Sequence, residues 1–124
     1  MSEQQTIGAT FARALAAKDF EQIAELMDPE IEFRALTPRR NWEAGDPETV
    51  VSEVLRKWFK DSDDIESLDR LETDSFADRE RVGYRFSGTN ADGPFVLEQQ
   101  AYLSARDGRI VWMRVLCSGY RPVE

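Results

Sequence analysis

The order of amphipathic segments constrains this chain more than any single motif in it. Ile7 to Phe59 reads as two short helices, a strand, a loop and a third helix, and long alternating strands follow to the end. Helices gathered first and strands afterwards predict an α+β architecture, a curved and mostly antiparallel sheet wrapped around three N-terminal helices. At 124 residues the chain makes one domain, residues 1–124, large enough to bury a core without staples.

The helical boundaries follow from spacing and caps. Ile7, Phe11, Ala14 and Leu15 form one apolar stripe and predict a helix from about Thr6 to Ala17. Asp19 is placed to cap a second helix, with Gln22 three residues on and Phe20, Ile23, Ala24 and Met27 as its stripe. Pro29 cannot continue that helix. Glu30 to Thr37 alternates, with Ile31, Phe33 and Ala35 on one face and Glu32 and Arg34 on the other, as a half-buried strand does. Pro38 to Gly45 is polar and aperiodic and reads as a loop. Asp46 caps the third helix, Pro47 takes its first position, and Val50, Val51, Val54, Leu55, Trp58 and Phe59 give it a broad apolar face.

An acidic link, Asp61 to Asp64, leads to a weak strand candidate, Ile65 to Thr73, and three strong ones: Arg81 to Ser87, Phe95 to Ala105 and Ile110 to Tyr120. Gly88 with Asn90 to Pro94, then Arg106-Asp107-Gly108, mark the turns. Read as a three-residue turn, the last hairpin sets Leu103 opposite Val111, Ala101 opposite Met113, Gln99 opposite Val115 and Leu97 opposite Cys117. One face is then almost wholly apolar and joins Val82, Tyr84 and Phe86 of the preceding strand; a two-residue turn would swap the faces. The other face carries Val96, Glu98, Gln100, Tyr102, Ile110, Trp112, Arg114 and Leu116. It is too apolar for a plain outer surface, and the expectation is a homodimer through Tyr102, Ile110, Trp112 and Leu116. The alternative is a loop or terminus lying over it.

Composition removes several functions. A net charge of −8 repels phosphate backbones, so no nucleic-acid partner is expected. No apolar run is long enough to span a bilayer, so no membrane role is expected. One cysteine, Cys117, rules out an internal disulfide and fits a reducing cytoplasm. The chain has no histidine, which excludes thiolate–imidazole zinc sites and histidine-dependent triads. No cofactor and no metal are expected. The acidic link fails as a calcium loop because Ile65 stands where an oxygen ligand is needed and Glu66 where a glycine is needed. It reads as a solvated stretch.

Three stretches carry a family resemblance: Phe11 to Ala35, the capped helix from Asp46, and Ala105 to Gly119. In these, and in element order over nearly its whole length, the chain resembles the nuclear-transport-factor-2-like superfamily, in its ketosteroid-isomerase and SnoaL-like branches. The resemblance implies a cone-shaped α+β fold with a deep pocket between sheet and helices, usually in a homodimer. The isomerase branch uses a carboxylate base and an oxyanion hole of a tyrosine and a protonated aspartate, a mechanism the general literature treats as a model case. Those positions fall here on Ala35, on Phe11, and on Ala101 or, with the hairpin shifted by one, Gln100. None can perform the role, so steroid isomerisation by that mechanism is not expected.

The pocket expected from these readings is lined by Phe11, Leu15, Phe33, Ala35, Thr37, Trp42, Trp58, Tyr84, Phe86, Gln99, Ala101, Met113, Val115 and Cys117. Tyr84 is the one weak catalytic candidate, a phenol able to polarise a carbonyl, or else a core tyrosine with a satisfied hydroxyl. Gln99 needs a partner in an apolar wall, which is a ligand, Thr37 or Tyr84. Cys117 reads as a small buried hydrophobe. Arg39, Arg40 and Trp42 stand near the expected mouth, either to grip a carboxylate or planar ligand or as a solvated rim. The first function expected is binding of a small apolar molecule in an NTF2-like pocket. The others are an isomerase, cyclase or dehydratase using a different set of residues, with Glu98 or Asp46 as carboxylates to consider, and a dimeric interaction module with a vestigial pocket.

Overall fold

The computed structural model describes residues 6–123. Helix α1 (Ile7–Ala16) starts where the Thr6 side chain accepts the Ala9 N–H, and α2 (Phe20–Glu25) where Asp19 accepts the Gln22 N–H. Met27, expected on α2, instead opens strand β1 (Met27–Thr37) opposite Ile110, because the Leu26 carbonyl already accepts the Ile110 N–H. The third helix is one rod in three parts: α3 (Pro47–Thr49), a wider π-helical stretch (Val50–Leu55) and α4 (Arg56–Trp58). The Ser52 hydroxyl donates to the Glu48 carbonyl at 2.8 Å, a side-chain bond that competes with the regular ladder just where the turn widens.

The stretch expected as a loop contains a strand. β2 (Arg40–Ala44) pairs with β1, setting Trp42 opposite Ala35. It is five residues long with one face in solvent, so only Trp42 and Ala44 carried its period. The weak strand is also longer than expected: β3 (Asp64–Phe76) runs 13 residues along the edge of the sheet. Its register against β4 (Arg79–Asn90) shifts twice, between Ile65 and Ser67 and between Leu68 and Arg70. Those bulges turn the half-buried Ile65, Leu68 and Leu71 inward at a spacing of three, which hides the alternation. Gly88, expected in a turn, sits inside β4, where a Cβ would lie 1.9 Å from the Asp64 carbonyl oxygen.

β5 (Gly93–Arg106), β6 (Arg109–Cys117) and a two-residue β7 (Arg121–Pro122) complete the sheet. The order is β2-β1-β6-β5-β4-β3, antiparallel except for β1 beside β6, with β7 paired to β5. The strand expected to reach Tyr120 stops at Cys117. The β5–β6 turn has two residues, Asp107 and Gly108, both at positive φ, rather than three. Val111 then bulges between the pairs Ala105–Ile110 and Ser104–Trp112. Together these move the register two residues from expectation: Leu103 faces Met113, Ala101 faces Val115 and Gln99 faces Cys117. A shift of two returns each side chain to its original face, so the inner set of β5 and β6 is as expected. Ile110 is the exception. It precedes the bulge, lies inside and is fully buried, so it cannot belong to the outer apolar patch.

The sheet curls without closing around the helices. Phe11 and Leu15 of α1, Ile23 of α2 and Val50, Val54 and Leu55 of the rod meet Phe33, Val82, Phe86, Leu97, Ala101, Leu103 and Met113 of the sheet, all at most 1 % exposed. Each large apolar side chain so buried contributes about 1.5–3 kcal/mol before entropy is counted. The result is a cone packed shut at one end and open where β1 ends, the rod ends and β6 ends.

Candidate functional site

The open end forms a cleft of about 520 Å³. Thr37 and Pro38 leave β1 on one side, and Lys57 and Trp58 end the rod on another. Lys60, Ser62 and Asp63 follow from the link, and Asn90 to Asp92 from the β4–β5 turn; Leu97, Cys117, Gly119 and Tyr120 complete the wall.

Loop contacts hold this mouth. The Tyr120 hydroxyl donates to the Trp58 carbonyl at 2.7 Å and lies 3.4 Å from Asp63 Oδ2. Its ring meets the Phe95 edge at 4.7 Å between centroids. Asp63 Oδ2 accepts the Lys60 N–H at 3.0 Å, and the Lys60 carbonyl accepts the Asp63 N–H and the Lys18 ammonium. Asp63 is therefore not part of a solvated acidic stretch: it is 7 % exposed, folded inward by its own turn. Burial pushes the Tyr120 phenol far above its ordinary value, with the Asp63 carboxylate adding to it, so Tyr120 stays a neutral donor. Gly119 has φ of +80° and packs on Pro38 so tightly that a Cβ would sit 2.7 Å from Pro38 Cγ.

Of the residues expected to line the pocket, Thr37, Trp58 and Cys117 line this cleft. Phe11, Leu15, Phe33, Ala35, Tyr84, Phe86, Gln99, Ala101, Met113 and Val115 are all buried; of these, Ala35 and Val115 also edge a groove beside Trp42, and Tyr84 and Gln99 a separate hollow of about 470 Å³ with Arg81, Glu98 and Leu116. Trp42 is half-buried in an adjoining groove with Asn41 and Arg114, its ring edge-on to Trp58 at 5.9 Å and its N–H given to Thr37 Oγ1 at 2.9 Å. Arg40 lies over the Trp42 ring at 3.8 Å, while Arg39 is exposed. Asp63, Gly119 and Tyr120 were missed. Their signal was available only as a single aspartate inside an acidic run and an aromatic after the last strand.

Beneath the cleft, the Tyr84 hydroxyl donates to Gln99 Oε1 at 2.5 Å, which settles the Gln99 alternatives in favour of Tyr84 for the carbonyl. Gln99 Nε2 has no partner among the described residues, nor has the indole nitrogen of Trp58. Burial holds the Tyr84 phenol far above its ordinary value, the Cys117 sulfur adding to it. Cys117 is half-buried rather than buried, and its sulfur accepts the Gly119 N–H at 3.3 Å. Glu98 and Asp46 do not enter the site. Glu98 pairs with Arg85 at 2.8 Å on the outer face, and Asp46 caps α3. Among the described residues no group of three potential ligands is placed to hold a metal ion.

No protein-family model matches the chain, and no curated protein does. Solved structures do. A protein of Rhodopseudomonas palustris, provisionally named an isomerase, superposes with a TM-score of 0.75 at 20 % identity over 94 % of this chain and 93 % of its own. An NTF2-like protein of Burkholderia thailandensis gives 0.67 at 21 % identity over 93 % and 92 %. A protein of Catenulispora acidiphila with a ketosteroid isomerase-like fold, solved with trimethylamine, gives 0.69 at 14 % over 94 % and 88 %. The chain has the NTF2-like fold. At these identities the likeness establishes architecture and leaves activity open.

Proposed function

We propose that this protein binds a small, mainly apolar molecule at the open end of the cone. The observation that carries the reading is the cleft itself: about 520 Å³, with Trp58, Leu97, Cys117 and Tyr120 supplying apolar wall beside polar groups such as Thr37, Lys60 and Asp63. Small-molecule sites span about 300–1,000 Å³, and this cleft falls within that range. The Catenulispora protein, solved with trimethylamine, supports the reading as an example of the same fold holding a small ligand. Native mass spectrometry of freshly purified protein tests it. A bound small-molecule mass lost on denaturation is expected. Bare protein that also takes up no naphthalene-sized apolar probe overturns it.

One observation favours a second reading, catalysis of an isomerase, cyclase or dehydratase kind. Asp63 brings a carboxylate to the cleft beside the neutral phenol of Tyr120, and its Oδ1 makes no hydrogen bond among the described residues. Carboxylate and phenol supply a base and a donor. Turnover surviving Asp63→Asn unchanged would remove that role.

The outer sheet face is proposed as a homodimer interface. Leu36, Tyr102 and Leu116 are exposed there at 49, 38 and 55 %. The surrounding charges are internally matched, Arg114 with Glu32, Arg85 with Glu98 and Arg70 with Glu72, so the face can meet its own copy despite the chain's net charge. Trp112, also expected there, is half-buried, with the Arg79 and Arg114 guanidinium groups over its ring at 3.8 and 4.3 Å. Sedimentation should show a dimer that Leu116→Glu dissociates; a wild-type monomer at micromolar concentration ends this idea. No described helix is long and apolar enough to cross a membrane. A cytoplasmic location is proposed on the unpaired thiol of Cys117.

A further inference from the structure

Among the described residues, two buried side-chain polar atoms lack a hydrogen-bond partner, and both are donors: Trp58 Nε1 and Gln99 Nε2. A folded chain seldom leaves such groups dry and unpaired, because each gives up its bonds to water and gains none. Trp58 is 8 % exposed and Gln99 1 %. Cys117 is the residue that relates the two. Gln99 is its cross-strand partner on the inner face, and Trp58 shares the cleft wall with it. The orientation of the Gln99 amide follows from Tyr84, whose phenol must donate and takes the carbonyl oxygen, turning the NH₂ away. The nearby Trp42 makes the contrast plain, since its indole N–H is satisfied by Thr37.

We propose that the ligand of this cleft carries a neutral hydrogen-bond acceptor, a ketone, aldehyde, ester or amide carbonyl, seated on Trp58 Nε1 and Gln99 Nε2. This rests on the cleft being a binding site. Two buried donors with no buried unmatched acceptor beside them call for a group that accepts; an alcohol would bring one more donor to place there. A carboxylate is disfavoured because both lysines of the lining, Lys57 and Lys60, are exposed, Lys57 is held by Glu53 at 3.2 Å, and Asp63 adds a negative charge to the same wall. Burial that keeps the Tyr84 phenol neutral penalises any other anion placed there. Both nitrogens are covered in the free protein, so the acceptor displaces the side chains of the floor as it enters.

The test is a matched pair, 2-acetylnaphthalene and 2-ethylnaphthalene, titrated calorimetrically into the whole chain. The ketone is expected to bind about tenfold tighter, the worth of one to two good hydrogen bonds. Trp58→Phe and Gln99→Met should each bring the ratio of ketone to hydrocarbon affinity toward one, whatever either does to the hydrocarbon alone. The infrared carbonyl stretch of the ketone bound to wild type should fall below its value in hexane, a readout that needs no variant to fold. Equal affinities with an unshifted stretch overturn the acceptor and leave the cleft reading standing. Binding of neither compound overturns both.

Discussion

The closed end of the cone and its open end are held by different physics. At the closed end Phe11, Val82, Leu103, Ile110 and Met113 come from four elements and interlock with at most 1 % of their surface in water. At the open end single contacts hold turns together: Tyr120 on the Trp58 carbonyl, Lys18 on the Lys60 carbonyl, Pro38 against Gly119. Close apolar packing resists displacement because every atom has many neighbours, whereas a point contact can be exchanged for a contact with ligand or water. The comparison teaches where the stability and the adaptability of this fold reside. Substitutions at the two ends should therefore separate stability from binding.

The largest effect should come from the closed end. Leu103→Ala leaves a cavity that its neighbours cannot fill, at a cost of about 2–5 kcal/mol. Urea unfolding should show the midpoint falling with little change in slope. A loss under about 1 kcal/mol would mean this end is not close-packed and would break the comparison.

Tyr84→Phe tests the boundary between the two ends. It leaves Gln99 Oε1 without its donor and should cost about 1–3 kcal/mol. Alkali probes the same groups. Tyr84 and Tyr120 both have phenols raised above the ordinary value of 10.0, chiefly by burial. Above pH 10 the unfolded chain loses those protons while the folded one keeps them. The unfolded state then binds fewer protons, so stability is full below pH 10 and falls as pH rises beyond it. Tyrosinate absorbance from these two, isolated by comparison with their phenylalanine variants, should appear together with unfolding. Titration of either inside the folded state would show that water reaches it.

The same division explains what the sequence disclosed. The closed end follows from periodicity: Phe11 and Leu15 one helical turn apart, Val82, Tyr84 and Phe86 at alternate positions, Leu103 opposite whatever β6 supplies. Even a mistaken turn length did no harm there, because the bulge at Val111 restored the parity that the shorter turn had changed. Ile110 escaped because it lies on the turn side of that bulge. The open end depends on contacts that have no period. Asp63 looks like its acidic neighbours until its turn buries it, and Tyr120 turns inward only because the chain passes Pro38 at Gly119. The Trp58 N–H lacks a partner among the described residues for reasons of three-dimensional placement, and residue type is silent on that.

At the mouth, Gly119→Ala asks whether the tail must sit where it does. Alanine at φ of +80° is strained by about 1–2 kcal/mol, and its Cβ would also press on Pro38. The expected loss of stability is modest, and Tyr120 should be displaced from Trp58, so the intrinsic tryptophan fluorescence should change with it. A variant with unaltered stability and emission would mean that the tail does not hold the mouth.

The smallest effect belongs to the outer face, which neither end needs. Arg85 and Glu98 lie 2.8 Å apart across β4 and β5, with side chains 41 and 51 % exposed. An exposed pair of this kind gains little Coulomb energy in water and loses side-chain freedom, so Glu98→Gln should cost no more than about 1 kcal/mol. The effect should shrink further as salt rises from 0.01 to 0.5 M, roughly the range over which screening shortens from beyond the pair's surroundings to within them. Its value lies in the conditions under which the small number fails. If two copies meet through this face, the pair leaves water on association, and breaking it leaves Arg85 uncompensated in a drier place. The same substitution would then cost several times more at high protein concentration than at low. Unfolding of Glu98→Gln across a hundredfold dilution series separates the cases: a constant small loss describes a free surface, and a loss that grows with concentration places Glu98 within the interface.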